Sequence, residues 1–330
     1  MPQRKVQDAA ITIVVPVKDE EEAIIPFIIA LDRAVAGCPA RFSFLFIDDG
    51  SIDRTISMLR ELRERDPRVG YLKLSRSFGK EAAMTAGLDA AKGDAVIVMD
   101  VDLQDPPELI PEFVRLWSAG FDTVYGARSS RSADGFLKRN TAEWFYWLFN
   151  KTAETKIPPN AGDFRLMDRC VVNALVRMRE TNRFMKGMFA WPGFSSTCVE
   201  YVRPERFAGT TKFNFRKLWR FAIDGIVSYS TVPLRIWTYI GALIALLSFM
   251  YLGKVVLAKM IWGTVVPGYS SLMTAILFFG GVQLISIGIM GEYLGRLYME
   301  TKRRPLYIIE ECAADVASAN TTDLMCADLV

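Results

Sequence analysis

The chain has no histidine. That absence excludes imidazole general bases, Ser-His-Asp and Cys-His nucleophile systems, and zinc held through histidine. Chemistry here must run on carboxylates, Lys/Arg and cations that prefer oxygen. Cysteine is sparse: Cys38, Cys170, Cys198, Cys312 and Cys326 form no CxxC pair, so neither a disulfide framework nor a thiolate zinc site is indicated. There is no long basic block, and the net charge is only +3, so no nucleic-acid face is expected. The first residues, MPQRKVQDAA, lack the apolar core of a secretory signal, and the N-terminal part is expected to stay in the cytoplasm.

Apolar residues are plentiful instead. They make up 51% of 330 positions, enough for two domains or for one large domain with an appendage. From Ile11 the pattern alternates strand and helix. ITIVVPV (11–17), FSFLFI (42–47) and VGYLKL (69–74) are β-branched or aromatic runs, and further strands are expected over 94–99 and 121–125. Between them, 19–36, 53–65 and 80–91 have helical spacing. This order predicts an α/β, doubly wound, mostly parallel sheet whose ligands collect at the carboxyl ends of the strands.

Residues 136–151 and 213–231 leave that rhythm and interleave Lys/Arg with Trp, Phe and Tyr, as expected of helices lying in a headgroup layer. Two apolar segments follow, Ile236 to Gly253 (Pro233 to Leu257 at full length) and Leu272 to Leu294. Both are expected to span a membrane. Arg220 and Arg235 precede the first; Arg296, Lys302, Arg303 and Arg304 follow the second. The positive-inside rule then puts both termini in the cytoplasm. The expected division is a catalytic domain at 1–232, a two-helix hairpin at 233–300, and a tail at 301–330 that is disordered towards its end. Gly280, Gly281, Gly288, Gly291 and Gly295 allow close helix contact and point to a homo-oligomer.

The stretch MDVDLQDPP, 99–107, places three aspartates within six residues after an apolar strand. Clustered anions at the rim of a core repel one another and need a counter-charge. Asp100, Asp102 and Gln104 offer oxygen ligands suited to Mg²⁺ or Mn²⁺, a cation able to neutralise a departing diphosphate. Two rivals exist. A haloacid-dehalogenase-type phosphatase would use the first aspartate as nucleophile, but Leu103 stands where that family has Thr or Val. The acids could otherwise serve only as helix caps ahead of Pro106.

IVVPVKDEE, IDDGSIDRT, LSRSFGKEAA, MDVDLQDPPELIP, GARSSR, NAGDFRLMDR and FAGTTKF occur in this order over residues 11 to about 300. Together they resemble the family 2 glycosyltransferases that charge a polyprenyl phosphate with a sugar: the bacterial undecaprenyl-phosphate glucosyltransferases of the GtrB type and the dolichol-phosphate mannose synthases. The resemblance implies a GT-A fold, a Rossmann-like domain with a mostly parallel sheet, followed by two transmembrane helices. It implies that Pro16, Val17 and Glu20 line a nucleoside pocket, that Asp49 faces the base, and that Lys80 approaches the donor. Asp100, Asp102 and Gln104 match the metal and diphosphate site, and Asp163 the catalytic aspartate. Arg128 and Arg139 are favoured as contacts to the acceptor phosphate, with Arg206 and Lys212 beside them; Arg131, Lys138 and Arg165 belong to the same set of cations. Lys18-Asp19 departs from the Tyr-Asn frequent in the family.

The implied reaction is inverting transfer of a hexose, glucose from UDP-glucose, to undecaprenyl phosphate at the cytoplasmic membrane face. Alternatives are a mannosyl or aminosugar transferase using a GDP- or UDP-sugar, a processive polysaccharide synthase, and a non-catalytic nucleotide-binding membrane protein. The processive enzymes carry a QxxRW block, which KLWRF at 217–221 lacks.

Overall fold

The computed structural model describes residues 4–128, 161–181, 183–202, scattered positions between 241 and 261, and 268–313. Its centre is strand β1 (Ala10–Val17), whose β-branched run is buried on both faces, as a central parallel strand requires. Strands β2 (Arg41–Asp48), β3 (Val69–Leu74) and β4 (Ala95–Val98) are joined in parallel around it, in the order β4-β1-β2-β3. Strand β5 (Thr123–Arg128) pairs antiparallel with β6 (Ala161–Asp168), which is also antiparallel to β4; β7 (Ser196–Tyr201) is parallel to β5. Strand β8 (Ile309–Ala313) closes the far edge, antiparallel to β3.

Helices cover both faces. On one, α1 (Ile24–Val35), α2 (Thr55–Arg65) and α4 (Ile110–Ser118) contribute Phe27, Leu31, Leu59 and Phe113 to a core with Phe44, Phe46 and Phe164. On the other, α3 (Lys80–Ala90), α5 (Arg169–Arg177) and α6 (Met185–Ala190) contribute Met84, Val172 and Met188. Helix α3 rides close over β1 because residue 87 is glycine. A Cβ there would stand 2.2 Å from Val14 Cγ1.

Several expectations are corrected. The first helix begins at Ile24, because Asp19 takes a left-handed conformation (φ 53°) and residues 19–21 bond across to the loop after β2. The sheet is mostly parallel as expected, but it also holds β6, β7 and β8, which were not anticipated as strands, and β6 and β8 bring its antiparallel pairs. Residues 309–313, expected in the tail, are an edge strand of the sheet, with Tyr307 buried just before it. The expected interfacial helices at 136–151 and 213–231 lie outside the described residues.

The described positions between 241 and 261 are helical. Helix α7 (Tyr269–Thr301) runs for 33 residues, about 50 Å at an α-helical rise. Within it, Phe278–Thr301 is the one helix among the described residues long and apolar enough to cross a membrane by length and composition. Leu272, Leu284 and Leu294 on it are exposed. Most of the first expected span is not described.

Candidate active site

The site lies at the carboxyl ends of β1, β2 and β4. The register pairs Val17 with Asp48, so the loops after β1 and β2 emerge side by side. They are laced together: the Asp19 amide donates to Ser51 Oγ at 2.9 Å, the Glu20 amide to Thr55 Oγ1 at 3.0 Å, and the Ile52 amide to Asp19 Oδ1 at 2.9 Å. Asp48 is fully buried and accepts from the Ser51 amide at 3.1 Å; burial pushes its pKa up.

Asp49 is 4% exposed, and both its oxygens are in use. Oδ1 accepts from the Phe78 amide at 2.6 Å, while Oδ2 accepts from the Gly79 amide at 3.0 Å and Ser77 Oγ at 2.8 Å. Gly50 (φ 68°) lets the loop press onto residues 76–77, where a Cβ would meet Ser77 N at 2.7 Å. The result is a rigid lead-in to α3, whose first residue is Lys80.

Strand β4 delivers Asp100 and Asp102. Beside it β6 runs the other way, with Val98 opposite Arg165, so two residues further along each strand Asp100 and Asp163 reach the same rim. Lys80 stands between them: Nζ is 2.7 Å from Asp100 Oδ1 and 2.8 Å from Asp163 Oδ2. Desolvation opposes the charge on Lys80, but the two carboxylates outweigh it and raise its pKa above the ordinary lysine value. Burial alone would raise the Asp163 pKa as well. Lys80, then Lys186, with Arg165 behind them, hold it well below the carboxylate range.

The turn after Asp102 carries Leu103 with φ 56°, a left-handed conformation that costs a non-glycine residue about 1–3 kcal/mol and that clusters at functional sites. Asp102 Oδ1 accepts from the Gln104 amide at 3.2 Å. Asp105 turns inward instead, 4% exposed, and accepts from the Tyr201 hydroxyl at 2.7 Å.

The structure thus gathers Lys80, Asp100, Asp102, Gln104 and Asp163 at one rim, with Pro16 and Glu20 at the neighbouring strand end. Two residues expected to face a nucleoside do other work. The Val17 side chain is 2% exposed and belongs to the core under α1, leaving only its backbone at the strand end; the Asp49 carboxylate is committed to residues 77–79. Arg128 is the last residue of β5. Arg139, Arg206 and Lys212 lie outside the described residues.

One residue was missed. Glu81, beside Lys80 on the first turn of α3, has its Oε2 buried without a hydrogen bond, and burial, then Asp163, pushes its pKa up to about 7. Its signal was present in FGKEAA, where a second charged residue follows the lysine into an apolar helix.

Among the described residues no group of three or more His, Cys, Asp or Glu side chains could hold a metal ion. Asp100 and Asp102 are nonetheless hard-oxygen donors, with the Asp100 side chain 30% exposed and its charge answered, among the described residues, by Lys80 alone. The set fits a Mg²⁺-like cation that takes its remaining ligands from Gln104, water and substrate phosphates.

Residues 12–179 match the family model described as glycosyl transferase family 2, and residues 232–297 match that of the GtrB C-terminal hairpin. A protein of Escherichia coli named prophage bactoprenol glucosyl transferase homolog is 53% identical over 91% of this chain and 98% of its own length. The bactoprenol glucosyl transferase of Shigella phage SfV is 52% identical over the same shares, and a Synechocystis glycosyltransferase, itself uncharacterised, is 48% identical over 91% of this chain and 95% of its own. With half the chain inside the family model and relatives at this identity along nearly all of it, the protein belongs to glycosyl transferase family 2 and is a glycosyltransferase.

Proposed function

We propose that the enzyme transfers glucose from UDP-glucose to the phosphate of a polyprenyl (undecaprenyl) phosphate at the cytoplasmic face of a membrane, with inversion at the anomeric carbon. What carries the proposal is the similarity, above 50% along nearly the whole chain, to proteins named bactoprenol glucosyl transferases. The exposed acid rim at β4 and the apolar helix α7 support it.

In this reading a phosphate oxygen of the acceptor attacks C1 of the sugar as the bond from C1 to the diphosphate oxygen breaks, and the pair of electrons leaves with the nucleotide. A divalent cation, Mg²⁺ or Mn²⁺, held by Asp100, Asp102 and Gln104 would supply charge neutralisation for that leaving group. Lys80, freed from Asp100, adds a positive charge beside the diphosphate. Pro16 and Glu20 border the nucleoside. Arg128, the last residue of β5, contacts the acceptor phosphate in this reading, together with Arg139, Arg206 and Lys212.

Asp163 is a weak base here, because neighbouring cations keep it ionised far below neutrality. The acceptor phosphate, with a second pKa of about 6, loses its proton without help. Asp163 therefore orients the acceptor or a sugar hydroxyl.

The deciding experiment offers purified protein undecaprenyl phosphate and a panel of UDP- and GDP-sugars, with and without EDTA. Glucosyl-lipid formed from UDP-glucose alone and abolished by EDTA is expected. Transfer from a GDP-sugar or an aminosugar donor in its place would replace the substrate assignment. If Asp163→Asn lost as much turnover as Asp102→Asn and recovered with rising pH, a base role would return.

A further inference from the structure

Helix α3 begins with Lys80 at the reacting rim, and near its other end it carries Asp89, a buried carboxylate that the reaction does not use. Asp89 Oδ2 accepts from the Tyr307 hydroxyl and from Arg179 Nη1, each at 2.7 Å. Burial, then Asp89, hold the Tyr307 pKa far above the usual phenol value, so its hydroxyl remains a donor. One turn nearer the rim, Thr85 Oγ1 accepts from Arg183 Nη1 at 2.8 Å.

All three partners lead to the exit of α7. Tyr307 lies six residues past Thr301, on a link whose Ile308 carbonyl accepts from the Ser75 amide at 3.0 Å. Arg179 and Arg183 flank Thr181, whose amide and hydroxyl donate to Glu300 at 2.7 and 3.1 Å. A shift of the helix exit therefore reaches α3 by two routes, through the link and through the segment between α5 and α6. Such shifts are expected in a bilayer, because a membrane-length helix tilts to match the hydrocarbon thickness.

Helix α3 is built to pass a shift on without bending. Its residues from Ala83 to Leu88 are all buried, and residue 87 is pressed onto Val14. Asp89 stands about 14 Å from Lys80 along the helix axis. The joint also has a second arrangement open to it. Asp89 Oδ1 and Arg183 Nε are buried and, among the described residues, without a hydrogen bond, although the two charges attract. Turning Asp89 from Arg179 to Arg183 would satisfy both atoms, so two pairings compete at this point.

We propose that Asp89, Tyr307 and Arg179 form a joint that ties the position of α7 in the bilayer to that of Lys80, so that the membrane sets the affinity for the nucleotide sugar. The effect on affinity rests on the reading above, in which Lys80 stands beside the diphosphate of UDP-glucose; the joint itself does not.

The test reconstitutes the full chain in vesicles of dimyristoyl or of dierucoyl phosphatidylcholine and measures UDP-glucose binding calorimetrically at fixed Mg²⁺. The wild-type Kd is expected to differ about threefold between the two, and Glu300→Ala to bring the difference below about 1.5-fold. Tyr307→Phe, which keeps the buried ring, should weaken binding about fivefold on its own and not at all in the Lys80→Met background. Asp89→Asn, of the same shape, replaces it if that variant does not fold. Equal wild-type affinities in the two bilayers overturn the coupling, and an equal loss in both Lys80 backgrounds overturns the route through α3. If Lys80→Met leaves the affinity unchanged, or UDP-glucose does not bind, the reading above fails. Amide exchange of residues 80–90 in the two bilayers then decides the joint: unequal protection is expected, and equal protection overturns it.

Discussion

Strands β2 and β4 both end in aspartates at the same rim of one sheet, and the two ends have opposite fates. At the end of β2, Asp49 is buried and holds backbone amides of the next loop with both oxygens. At the end of β4, Asp100 is partly exposed and its charge is met, among the described residues, by one side chain, Lys80. A carboxylate bonded to backbone cannot be released without undoing the loop. One bonded to a flexible lysine can exchange that partner for a cation or a phosphate-bearing ligand. The same residue type is architecture at one strand end and chemistry at the next, and the partner decides which.

The sharpest way to break this contrast is Asp102→Asn, which should lower kcat by about 10³-fold, roughly 4 kcal/mol of transition-state stabilisation, while the thermal midpoint barely moves. Asp49→Ala should do the reverse in kind. Orphaning the Phe78 and Gly79 amides is expected to cost about 3 kcal/mol of stability, read as an earlier denaturant midpoint.

Glu81 offers an intermediate case, a carboxyl that has neither kind of partner for its buried oxygen. Its folded pKa, about 7, lies above the ordinary carboxyl value, so the folded state binds this proton more tightly than the unfolded one. The resulting stabilisation is complete below the unfolded pKa and is lost as pH rises through 7. Glu81→Gln, fixed in a neutral form, should therefore be more stable than wild type at pH 8, on the order of 2 kcal/mol, and should gain nothing at pH 4. Melting both proteins across that range checks the sign as well as the size.

The smallest expected effect concerns Lys80. Because it competes for Asp100, Lys80→Met should bind Mn²⁺ without nucleotide a few fold more tightly, about 1 kcal/mol, as counted by the free-ion signal in electron paramagnetic resonance. Equal affinities would mean that Lys80 does not hold the place of a cation.

The central strands were legible because their apolar runs, buried on both faces, are bounded by turn residues; β1 to β4 fall within one or two positions of expectation. Strand β6 was not, since AGDFRLMD carries Gly, Asp and Arg where a strand signal would need apolar or β-branched residues. Pairing on both edges, with β4 and β5, makes it a strand all the same. Strand β8 escaped for a related reason: Glu310 and Glu311 look like tail residues until Lys73 and Arg60 are seen to meet them. At the site, identity was readable and orientation was not. The acid motifs marked the strand ends, yet only the structure separates Asp49, turned to the loop after β3, from Asp100, turned to the rim. Arg165 could be read as a cation from the sequence; its burial depends on the alternation of a strand that had not been recognised.

Strand β8 also bears on how the enzyme meets its substrate. Seven residues, at most about 28 Å of extended chain from Thr301 to Ile309, separate the end of α7 from β8, and Glu300 at the helix end accepts a 2.7 Å hydrogen bond from the Thr181 amide. The apolar helix is thus leashed at its exit to the catalytic domain, covalently to the edge strand β8 and through this contact to the segment between α5 and α6. A sheet held so closely cannot wander from the bilayer in which such a helix would sit. The reacting rim would then work at a set altitude above the headgroups, and a lipid-borne phosphate would need to rise only that fixed distance to be glycosylated.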